Sequence, residues 1–429
     1  MDLTVHPAER LEGVLRVPPS KSYTHRALLA AALAEGRSEV RGGLRSDDTS
    51  ATLRACRALG ASAEGSWGRL RVEGFGTAPR RPRRPVDVGE SGTTLRLLLP
   101  LAGLVPGPLV LDGRGSLRRR PNGYILPALA RMGLRVRGRG RDHRVPLRAR
   151  GPGFLLGARL TLSGNLYSSQ FVSGLLLAAP RARGPTRIAV EGRLVSRPYV
   201  GITLDVLRRA SVKVRERGGA FRIPGDQAYL PFRFRVGGDW SAAANWLVAG
   251  CLVESDLRLD GLAADAQGDR AVVRLLGAMG AEFRVGRDSV RVRGPFHLRG
   301  MSMDLRDNPD LVPPLAVAGG FASGTTVLRN IGHLRLKESD RLGGLAAKLR
   351  ALGIRARAAA DSLEVEGSRS RPRGAALSAG GDHRVAMALA VAGLRAGPVT
   401  VRGFEAVSKS YPGFAAHLRA LGVRASRLS

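Results

Sequence analysis

The chain has 429 residues, of which 44% are apolar, which is typical of a soluble globular protein large enough for two hydrophobic cores. No apolar run reaches the 18 or more residues needed to span a bilayer, and the N-terminal residues lack the features of a secretion signal, so we expect a cytosolic protein. The two cysteines, Cys56 and Cys251, are far apart in sequence, which argues against a disulfide framework and a zinc site.

The formal net charge of +34 raises the question of nucleic-acid binding. The cations are spread along the whole chain, with local clusters only at residues 80–84 and 135–150, and no aromatic stacking platform accompanies them. Because recognition needs clustering and base-contacting groups as well as charge, we expect an arginine-rich surface and no nucleic-acid or membrane partner.

Two predicted helices recur together six times along the chain. The first of each pair is apolar on nearly all sides, and these helices begin near Ala27, Leu95, Phe171, Ala242, Leu311 and Arg384. The second is amphipathic and is followed by a small residue, which is Gly60, Gly133, Ser211, Gly280, Gly353 or Gly422. Short alternating strands follow, for example at residues 69–74, 289–294 and 362–367. This pattern predicts six copies of one α/β unit.

Six such units exceed what one core usually holds, so we expect two domains of three units each. We place the junction near residues 235–238, between the third and fourth copies. The last copy is expected to end at the C-terminus without its strands, and the N-terminal strand is then expected to complete the second domain. The predicted domains are residues 1–13 with 238–429, and residues 14–237.

Polar and charged residues precede each apolar helix. They are Lys21, Ser22 and Arg26, then Glu90 to Thr94, Asn165 to Gln170, Gly238 to Ser241, Asn308 to Asp310, and Asp382 to Arg384. N-capping explains the serine, threonine, aspartate and asparagine residues. It does not explain the cations, which oppose the helix dipole unless an anion is bound. We therefore expect the six helix starts to form an electropositive cleft that closes on a polyanion.

The stretch from His333 to Arg341 carries the densest charge. Lys337, Glu338 and Arg341 stand just ahead of an amphipathic helix, whose free backbone N–H groups favour anions. Among these groups Glu338 is either an ion-pair partner or a proton carrier. Lys337 is also one of only five lysines in the chain, which indicates a need for a compact ammonium group at this position.

In their order and identity these motifs resemble those of the 3-phosphoshikimate 1-carboxyvinyltransferases, a family of enolpyruvyl transferases, over nearly the whole chain. The resemblance implies an α/β (α+β) fold, a two-domain inside-out α/β barrel of six βαβαββ repeats, three per domain, with the active site in the interdomain cleft. It implies transfer of the enolpyruvyl group of phosphoenolpyruvate to the 5-hydroxyl group of shikimate 3-phosphate, through a tetrahedral intermediate and loss of phosphate. It implies no cofactor and no metal, and we expect a monomer.

The resemblance also assigns roles to residues of this chain. It implies that Asp310 is the base facing the attacking hydroxyl group, that Glu338 is the acid that protonates the methylene carbon, and that Lys21 also takes part in catalysis. The implied shikimate 3-phosphate site contains Lys21, Ser22, Arg26, Ser168, Ser169, Gln170, Ser196, Tyr199, Asp310, His333 and Lys337. The implied phosphoenolpyruvate site contains Lys21, Gly92, Arg120, Gln170, Arg341, Arg384 and Lys409.

Three positions depart from the pattern of the family. Glu90 and His333 stand where the family has asparagine, and the charge of His333 is expected to depend on pH. Ser116 stands where one branch of the family has an arginine that binds phosphate. We assign that function to Arg120, with Arg118 as the alternative.

Two other functions are compatible with parts of the sequence. A UDP-N-acetylglucosamine enolpyruvyl transferase would share the fold and the phosphoenolpyruvate chemistry, but it typically has a reactive cysteine in the loop at residues 113–120, which contains none here. An RNA 3′-phosphate cyclase would suit the basic charge, but it uses a nucleophilic histidine late in the chain. His383 and His417 are the late candidates, and their flanking residues do not suggest this role.

Overall fold

The structure is a computed structural model that describes residues 1–163, 167–367 and 372–428. Asn165, at the start of the third predicted motif, lies outside the described residues. The chain forms two compact units, each held together by contacts among its own residues. We call Pro19–Val236 the central unit, and Met1–Pro18 with Gly237–Ser429 the terminal unit. The sequence-based boundary at residue 13 would cut a strand, since the two N-terminal strands are β1 (Asp2–Val5) and β2 (Arg10–Arg16).

The central unit contains three copies of the repeat. Its elements are α1 (Lys21–Leu33), β3 (Arg37–Arg41), α2 (Asp47–Ala58), β4 (Ser62–Ser66), β5 (Arg69–Glu73), β6 (Val86–Asp87), α3 (Gly92–Leu98), β7 (Pro106–Asp112), α4 (Leu126–Arg131), β8 (Arg135–Arg139), β9 (Arg144–Pro152), β10 (Leu155–Leu156), β11 (Arg159–Ser163), α5 (Gln170–Ala178), β12 (Ala182–Arg183), β13 (Thr186–Glu191), α6 (Pro198–Arg209), β14 (Arg215–Arg217), β15 (Ala220–Ile223) and β16 (Arg233–Arg235).

The terminal unit contains the other three copies. After β1 and β2 its elements are α7 (Trp240–Leu252), β17 (Glu254–Asp260), α8 (Ala271–Ala278), β18 (Phe283–Val285), β19 (Ser289–Val292), β20 (Ser302–Asp304), α9 (Val312–Gly320), β21 (Thr325–Arg329), α10 (Arg341–Ala351), β22 (Arg355–Ala358), β23 (Ser362–Glu366), β24 (Ala375–Ser378), α11 (His383–Ala396), β25 (Val399–Arg402), α12 (Phe414–Ala420) and β26 (Ala425–Leu428).

Each copy forms a four-stranded sheet with the same pairing, in which one parallel pair is followed by two antiparallel pairs. In the fifth copy, for example, β20 pairs with β21 in parallel, and β23 then pairs with β21 and β22 in antiparallel fashion. Adjacent parallel strands need a crossover connection, and in four of the six copies the apolar helix of the copy supplies it. The predicted six βαβαββ repeats, three in each unit, are confirmed.

Three sheets contain a strand from a distant part of the chain. β2 precedes α1 in sequence but pairs with β17 of the fourth copy, whereas β16 precedes α7 but pairs with β3 of the first copy. In the sixth copy β1 lies between β25 and β26. The expectation that the last copy lacks all its strands is therefore wrong, because β26 is present and only one strand is supplied by the N-terminus.

The apolar helices form the cores, as their composition predicts. All residues of α7 are buried, and α7, α9 and α11 contact one another within the terminal unit. In the central unit α3 contacts α5, where a Cβ atom on Gly174 would overlap the carbonyl oxygen of Arg96, so glycine permits this close packing. Each buried leucine contributes about 1.5–3 kcal/mol to such a core. Among the described residues, every helix is too short or too polar to cross a membrane.

Candidate active site

The start of α1 places a buried ammonium group in a fixed position. Lys21 is the first residue of the helix, and its Nζ lies 2.9 Å from Oδ2 of Asp48, in the first turn of α2. The two side chains are 11% and 10% exposed. A cation at a helix start opposes the helix dipole, and Asp48 offsets part of that cost. The ammonium group is thus held at a helix N-terminus, where anions are favoured.

The start of α3 forms a second anion-binding feature. Ser91 caps the helix by accepting a hydrogen bond from the Thr94 backbone N–H, and α3 begins at Gly92. A Cβ atom on Gly92 would lie only 2.5 Å from Nη1 of Arg120, a side chain that is itself buried. The guanidinium group therefore packs directly against the first residue of the helix. Arg118, by contrast, is largely exposed and pairs with Asp112 at 3.3 Å.

A buried arginine that the sequence analysis missed orients the start of α5. Arg96 donates hydrogen bonds to Oε1 of Gln170 at 2.8 Å and to the Tyr167 hydroxyl group at 2.6 Å. The Nε2 atom of Gln170 in turn donates to Oγ1 of Thr93 at 2.8 Å. Arg96 thus joins α3 to the first residue of α5. Its position in an otherwise apolar helix was a signal that could have identified it.

The predicted serine residues also lie at helix starts. Ser168, Ser169 and Ser196 are all buried, and the Ser168 hydroxyl group donates to Gln170 Oε1 at 3.3 Å. Ser196 adopts a left-handed backbone conformation with φ 56°, and its buried hydroxyl group has no hydrogen-bond partner among the described residues. Tyr199 is half-buried in the first turn of α6.

The guanidinium group of Arg26 is buried and hydrogen-bonded to protein groups. It donates to Thr203 Oγ1 at 2.7 Å, to Ser173 Oγ at 3.3 Å and to the carbonyl oxygen of Ser22 at 3.0 Å. Only 1% of the residue is exposed, and burial lowers its pKa to about 10. Ser22 itself is half-buried on the same side of α1. Arg26 is therefore anchored to α5 and α6 by protein acceptors.

In the terminal unit, Arg341 at the start of α10 gathers three carboxylates. It binds Asp382 through Nε at 2.8 Å, Asp310 through Nη1 at 2.9 Å and Glu338 through Nη2 at 3.0 Å. Its side chain is only 2% exposed. Burial opposes the positive charge, but Asp382, Glu338 and Asp310 outweigh it and raise the pKa of Arg341. One buried cation thus fixes both carboxylates to which the sequence assigned proton transfer.

Asp310 is held as a carboxylate. It lies in a short 3-10 turn before α9, and its Oδ2 also pairs with Nη2 of Arg384 at 3.1 Å. Burial favours the neutral acid, but Arg384, Arg341 and Lys337 outweigh it and hold the pKa of Asp310 well below its usual range. At neutral pH the group is therefore ionised, as a base must be, while the same cations lower its affinity for a proton.

A second buried carboxylate, Asp269, lies near this group and was also missed. It accepts hydrogen bonds from the hydroxyl group of Ser241 and from Nδ2 of Asn308, the latter at 3.1 Å. Burial and the neighbouring Asp310 raise its pKa to about 6. No local sequence pattern distinguishes Asp269 from an ordinary residue at the start of a helix.

The remaining predicted residues of the terminal unit lie close to this cluster. Lys337 is half-buried, and its positive charge lowers the pKa of both Asp310 and His333. Lys409 is buried and donates to the carbonyl oxygen of Gly381, just before α11, at 2.8 Å. Burial, Lys337 and Arg341 lower the pKa of His333 to about 3. His333 is therefore neutral near pH 7, and the pH dependence expected for its charge falls in the acid range.

Each unit thus brings its own predicted residues together. In the central unit these residues lie at the starts of α1, α3, α5 and α6, where α6 contacts α1 and α5, and α5 contacts α3. In the terminal unit they lie at the starts of α9, α10 and α11, where α9 contacts the other two helices. The described residues contain no group of three or more histidine, cysteine, aspartate or glutamate side chains arranged to hold a metal ion. Both sets combine cations with helix N-termini, which suits small molecules with phosphate and carboxylate groups.

Comparison with known proteins agrees with this chemistry. The family model described as EPSP synthase (3-phosphoshikimate 1-carboxyvinyltransferase) matches residues 5–418. The 3-phosphoshikimate 1-carboxyvinyltransferase of Methanothermobacter thermautotrophicus is 40% identical over 99% of both chains, and that of Methanothrix thermoacetophila is 44% identical over 97% of this chain and 98% of its own. The solved structure of EPSP synthase from Acinetobacter baumannii superposes with a TM-score of 0.83 at 29% identity, covering 99% of this chain and 100% of that one.

Proposed function

The chain belongs to the EPSP synthase (3-phosphoshikimate 1-carboxyvinyltransferase) family, and from this premise we propose which of its residues carry out the reaction. The enzyme transfers the enolpyruvyl group of phosphoenolpyruvate to the 5-hydroxyl group of shikimate 3-phosphate. The products are 5-enolpyruvylshikimate 3-phosphate and phosphate, and the reaction is a step of the shikimate pathway.

The central unit supplies most of the binding groups. Ser168, Ser169 and Ser196 bind the phosphate of shikimate 3-phosphate, Ser22 and Arg26 its carboxylate, and Tyr199 lies against its ring. The buried hydroxyl group of Ser196, which has no partner among the described residues, supports a ligand oxygen at this position. Lys21, Gly92, Arg120 and Gln170 bind the phosphate of phosphoenolpyruvate. The packing of Arg120 on Gly92 favours Arg120 over Arg118 for this role.

The terminal unit supplies the proton transfers. The oxygen of the 5-hydroxyl group bonds to C2 of phosphoenolpyruvate while Asp310 accepts the proton of that hydroxyl group. Glu338 donates a proton to the methylene carbon. Loss of phosphate and of one proton from the resulting methyl group then restores the double bond. The observation that carries this assignment is the contact of Arg341 with both carboxylates, which holds the proposed base and the proposed acid around one buried cation.

The other cations of the terminal unit bind the substrates. Arg384 and Arg341 bind the carboxylate of phosphoenolpyruvate, and Lys409 binds its phosphate. Lys337 and His333 bind shikimate 3-phosphate. The fixed cations also stabilise charge that develops on the phosphate oxygens as the leaving group departs. We further propose a monomeric, cytoplasmic enzyme whose partners are these two anionic substrates. Sedimentation analysis at micromolar protein would detect a dimer if this were incorrect.

The test is the substrate dependence of phosphate release from phosphoenolpyruvate. We expect release that requires shikimate 3-phosphate and does not respond to UDP-N-acetylglucosamine. Release that depends on the UDP-sugar instead would establish the alternative transferase. Release with neither acceptor would show that phosphoenolpyruvate is simply hydrolysed and would reject both assignments.

A further inference from the structure

Glu90 and Ser116 both depart from the pattern of the family, and the structure joins them directly. Oε2 of Glu90 accepts a hydrogen bond from the backbone N–H of Ser116 at 3.1 Å and another from its hydroxyl group at 3.2 Å. Both residues lie in the central unit, on either side of β7 in sequence. The two departures are therefore partners in one contact.

The loop that follows β7 is shaped around this carboxylate. Gly115 has φ +55°, a left-handed conformation that favours glycine, and a Cβ atom there would overlap the Glu90 carboxyl group. A backbone hydrogen bond of 2.8 Å from the Arg114 N–H to the Gly89 carbonyl oxygen attaches the loop to the same segment. Glycine at position 115 thus permits the carboxylate to reach Ser116.

This contact joins the two features that form the phosphate site. Glu90 stands two residues before Gly92, where α3 begins, and Ser116 stands four residues before Arg120, whose guanidinium group packs on Gly92. The intervening residues Gly115–Arg119 form a single 3-10 turn. The hydrogen bonds between Glu90 and Ser116 therefore connect the turn that leads to Arg120 with the segment just before α3.

We propose that Glu90 is a positioning residue for phosphoenolpyruvate, which acts through Ser116 to set Arg120 against the start of α3. This inference rests on the proposed function. Glu90 serves as a hydrogen-bond acceptor, so its negative charge, which would repel a nearby phosphate, is not what the site requires. A glutamine at this position keeps an acceptor oxygen, whereas an alanine removes it.

Steady-state kinetics of four proteins test the proposal: the wild type, Glu90→Ala, Glu90→Gln and the control Asp112→Asn. We expect Glu90→Ala, which removes both hydrogen bonds to Ser116, to raise KM for phosphoenolpyruvate about tenfold, an effect within the range of such contacts. KM for shikimate 3-phosphate and kcat should stay within about twofold of wild type, and Glu90→Gln should restore KM. Asp112→Asn weakens the exposed Arg118–Asp112 pair beside the same loop and should have no effect.

A double-mutant cycle separates positioning from a general structural role. In an Arg120→Ala background, Glu90→Ala should add no further increase in KM for phosphoenolpyruvate, because the residue through which it acts is absent. Additive effects, an unchanged KM in Glu90→Ala, or an equal rise in both KM values with a lower melting temperature would overturn the proposal. A wild-type enzyme without activity dependent on shikimate 3-phosphate would instead overturn the proposed function, and this inference with it.

Discussion

Asp310 and Glu338 differ in what surrounds them, although both contact Arg341. Asp310 also pairs with Arg384 across the cluster, whereas Glu338 pairs with Arg341 three residues along the same segment. We expect Asp310→Asn and Glu338→Gln to bind both substrates while kcat falls by roughly 10²- to 10⁴-fold, because each removes one proton transfer. Rapid-quench and steady-state assays measure this, with the exposed Glu366→Gln as control. Full activity in either variant would remove its proposed role.

Gly92 has no room for a side chain while Arg120 keeps its position. We expect Gly92→Ala to displace the guanidinium group, to raise KM for phosphoenolpyruvate several-fold and to leave KM for shikimate 3-phosphate unchanged. The added methyl group should also crowd the inhibitor glyphosate, for which glycine is expected to leave room. Inhibition curves for the two proteins measure this effect. An identical response to glyphosate would contradict it.

His333 should make the protein sensitive to acid. Its pKa is about 3 in the folded state and about 6.5 in an unfolded chain, so only the unfolded state takes up a proton between these values. Above pH 6.5 His333 is neutral in both states and does not lower the free energy of unfolding. Below pH 6.5 the free energy of unfolding falls by about 1.4 kcal/mol for each pH unit, until the pH reaches the pKa of the folded state. We expect His333→Asn to match the wild type at pH 8 and to exceed it by about 2 kcal/mol at pH 5. Urea titrations that show parallel pH dependence for both proteins would contradict this.

Residue types in the sequence indicated which groups could form the candidate site, but the partners of these groups required the fold. The motif around Lys337 identified Glu338 and Arg341 because those residues are neighbours in the chain. Arg96 and Asp269 were missed because their hydrogen-bond partners are distant in sequence. Gln170 lies 74 residues from Arg96, and Asn308 lies 39 residues from Asp269. The enclosure of Arg26 by Ser173 and Thr203 was hidden from the sequence for the same reason.

At the scale of elements, periodicity predicted the twelve helices well because burial follows apolar spacing directly. In α10, for example, Leu342, Leu345 and Leu349 are buried, and Gly353 follows the helix with φ +79°, as expected for a terminating glycine. Strand pairing was less accessible, since register depends on partners elsewhere in the chain. The swap of β2 and β16 between sheets therefore went unpredicted.

In the β8–β9 hairpin the strand register places like charges opposite each other, which the composition alone does not reveal. Its exposed arginines face one another across the strands, as Arg135 with Arg150, Arg137 with Arg148 and Arg139 with Arg144. The corresponding hairpin of the fifth copy, β22–β23, instead pairs Arg355 with Glu366 and Arg357 with Glu364. Like charges directly opposite each other destabilise a sheet, and opposite charges stabilise it.

Charge substitutions in these two hairpins should therefore have opposite effects. We expect Arg148→Glu, opposite Arg137, to raise the melting temperature by about 1 to 4 °C, since such pairs contribute about 0.2–1 kcal/mol. Glu364→Arg, opposite Arg357, should lower it by a similar amount. Both shifts should shrink in 1 M salt, which screens surface charges. Calorimetry at low and high salt tests this, and a melting temperature that Arg148→Glu leaves unchanged at low salt would contradict it.

At the scale of the whole molecule, the central unit is continuous in sequence and the terminal unit is not. All strands paired in the central sheets, from β3 to β16, lie within Pro19–Val236. The terminal unit needs β1 between β25 and β26, and β2 beside β17, and both come from the first 18 residues. Removing β1 would leave a gap in the middle of a sheet, which is costlier than losing an edge strand because two rows of hydrogen bonds are lost.

The pairing of β1 with β26 makes a rearranged terminal unit possible, since Asp2 lies directly opposite Leu428 in antiparallel register. A short glycine-containing linker from residue 429 to residue 1 can close this pair as a hairpin. We expect a protein ordered 237–429, linker, 1–18 to unfold cooperatively, and residues 237–429 alone to lack a cooperative transition. Residues 19–236 alone should fold. Circular dichroism melts of the three proteins measure this. Cooperative unfolding of 237–429 alone would show that the N-terminal strands are dispensable, contrary to the register seen here.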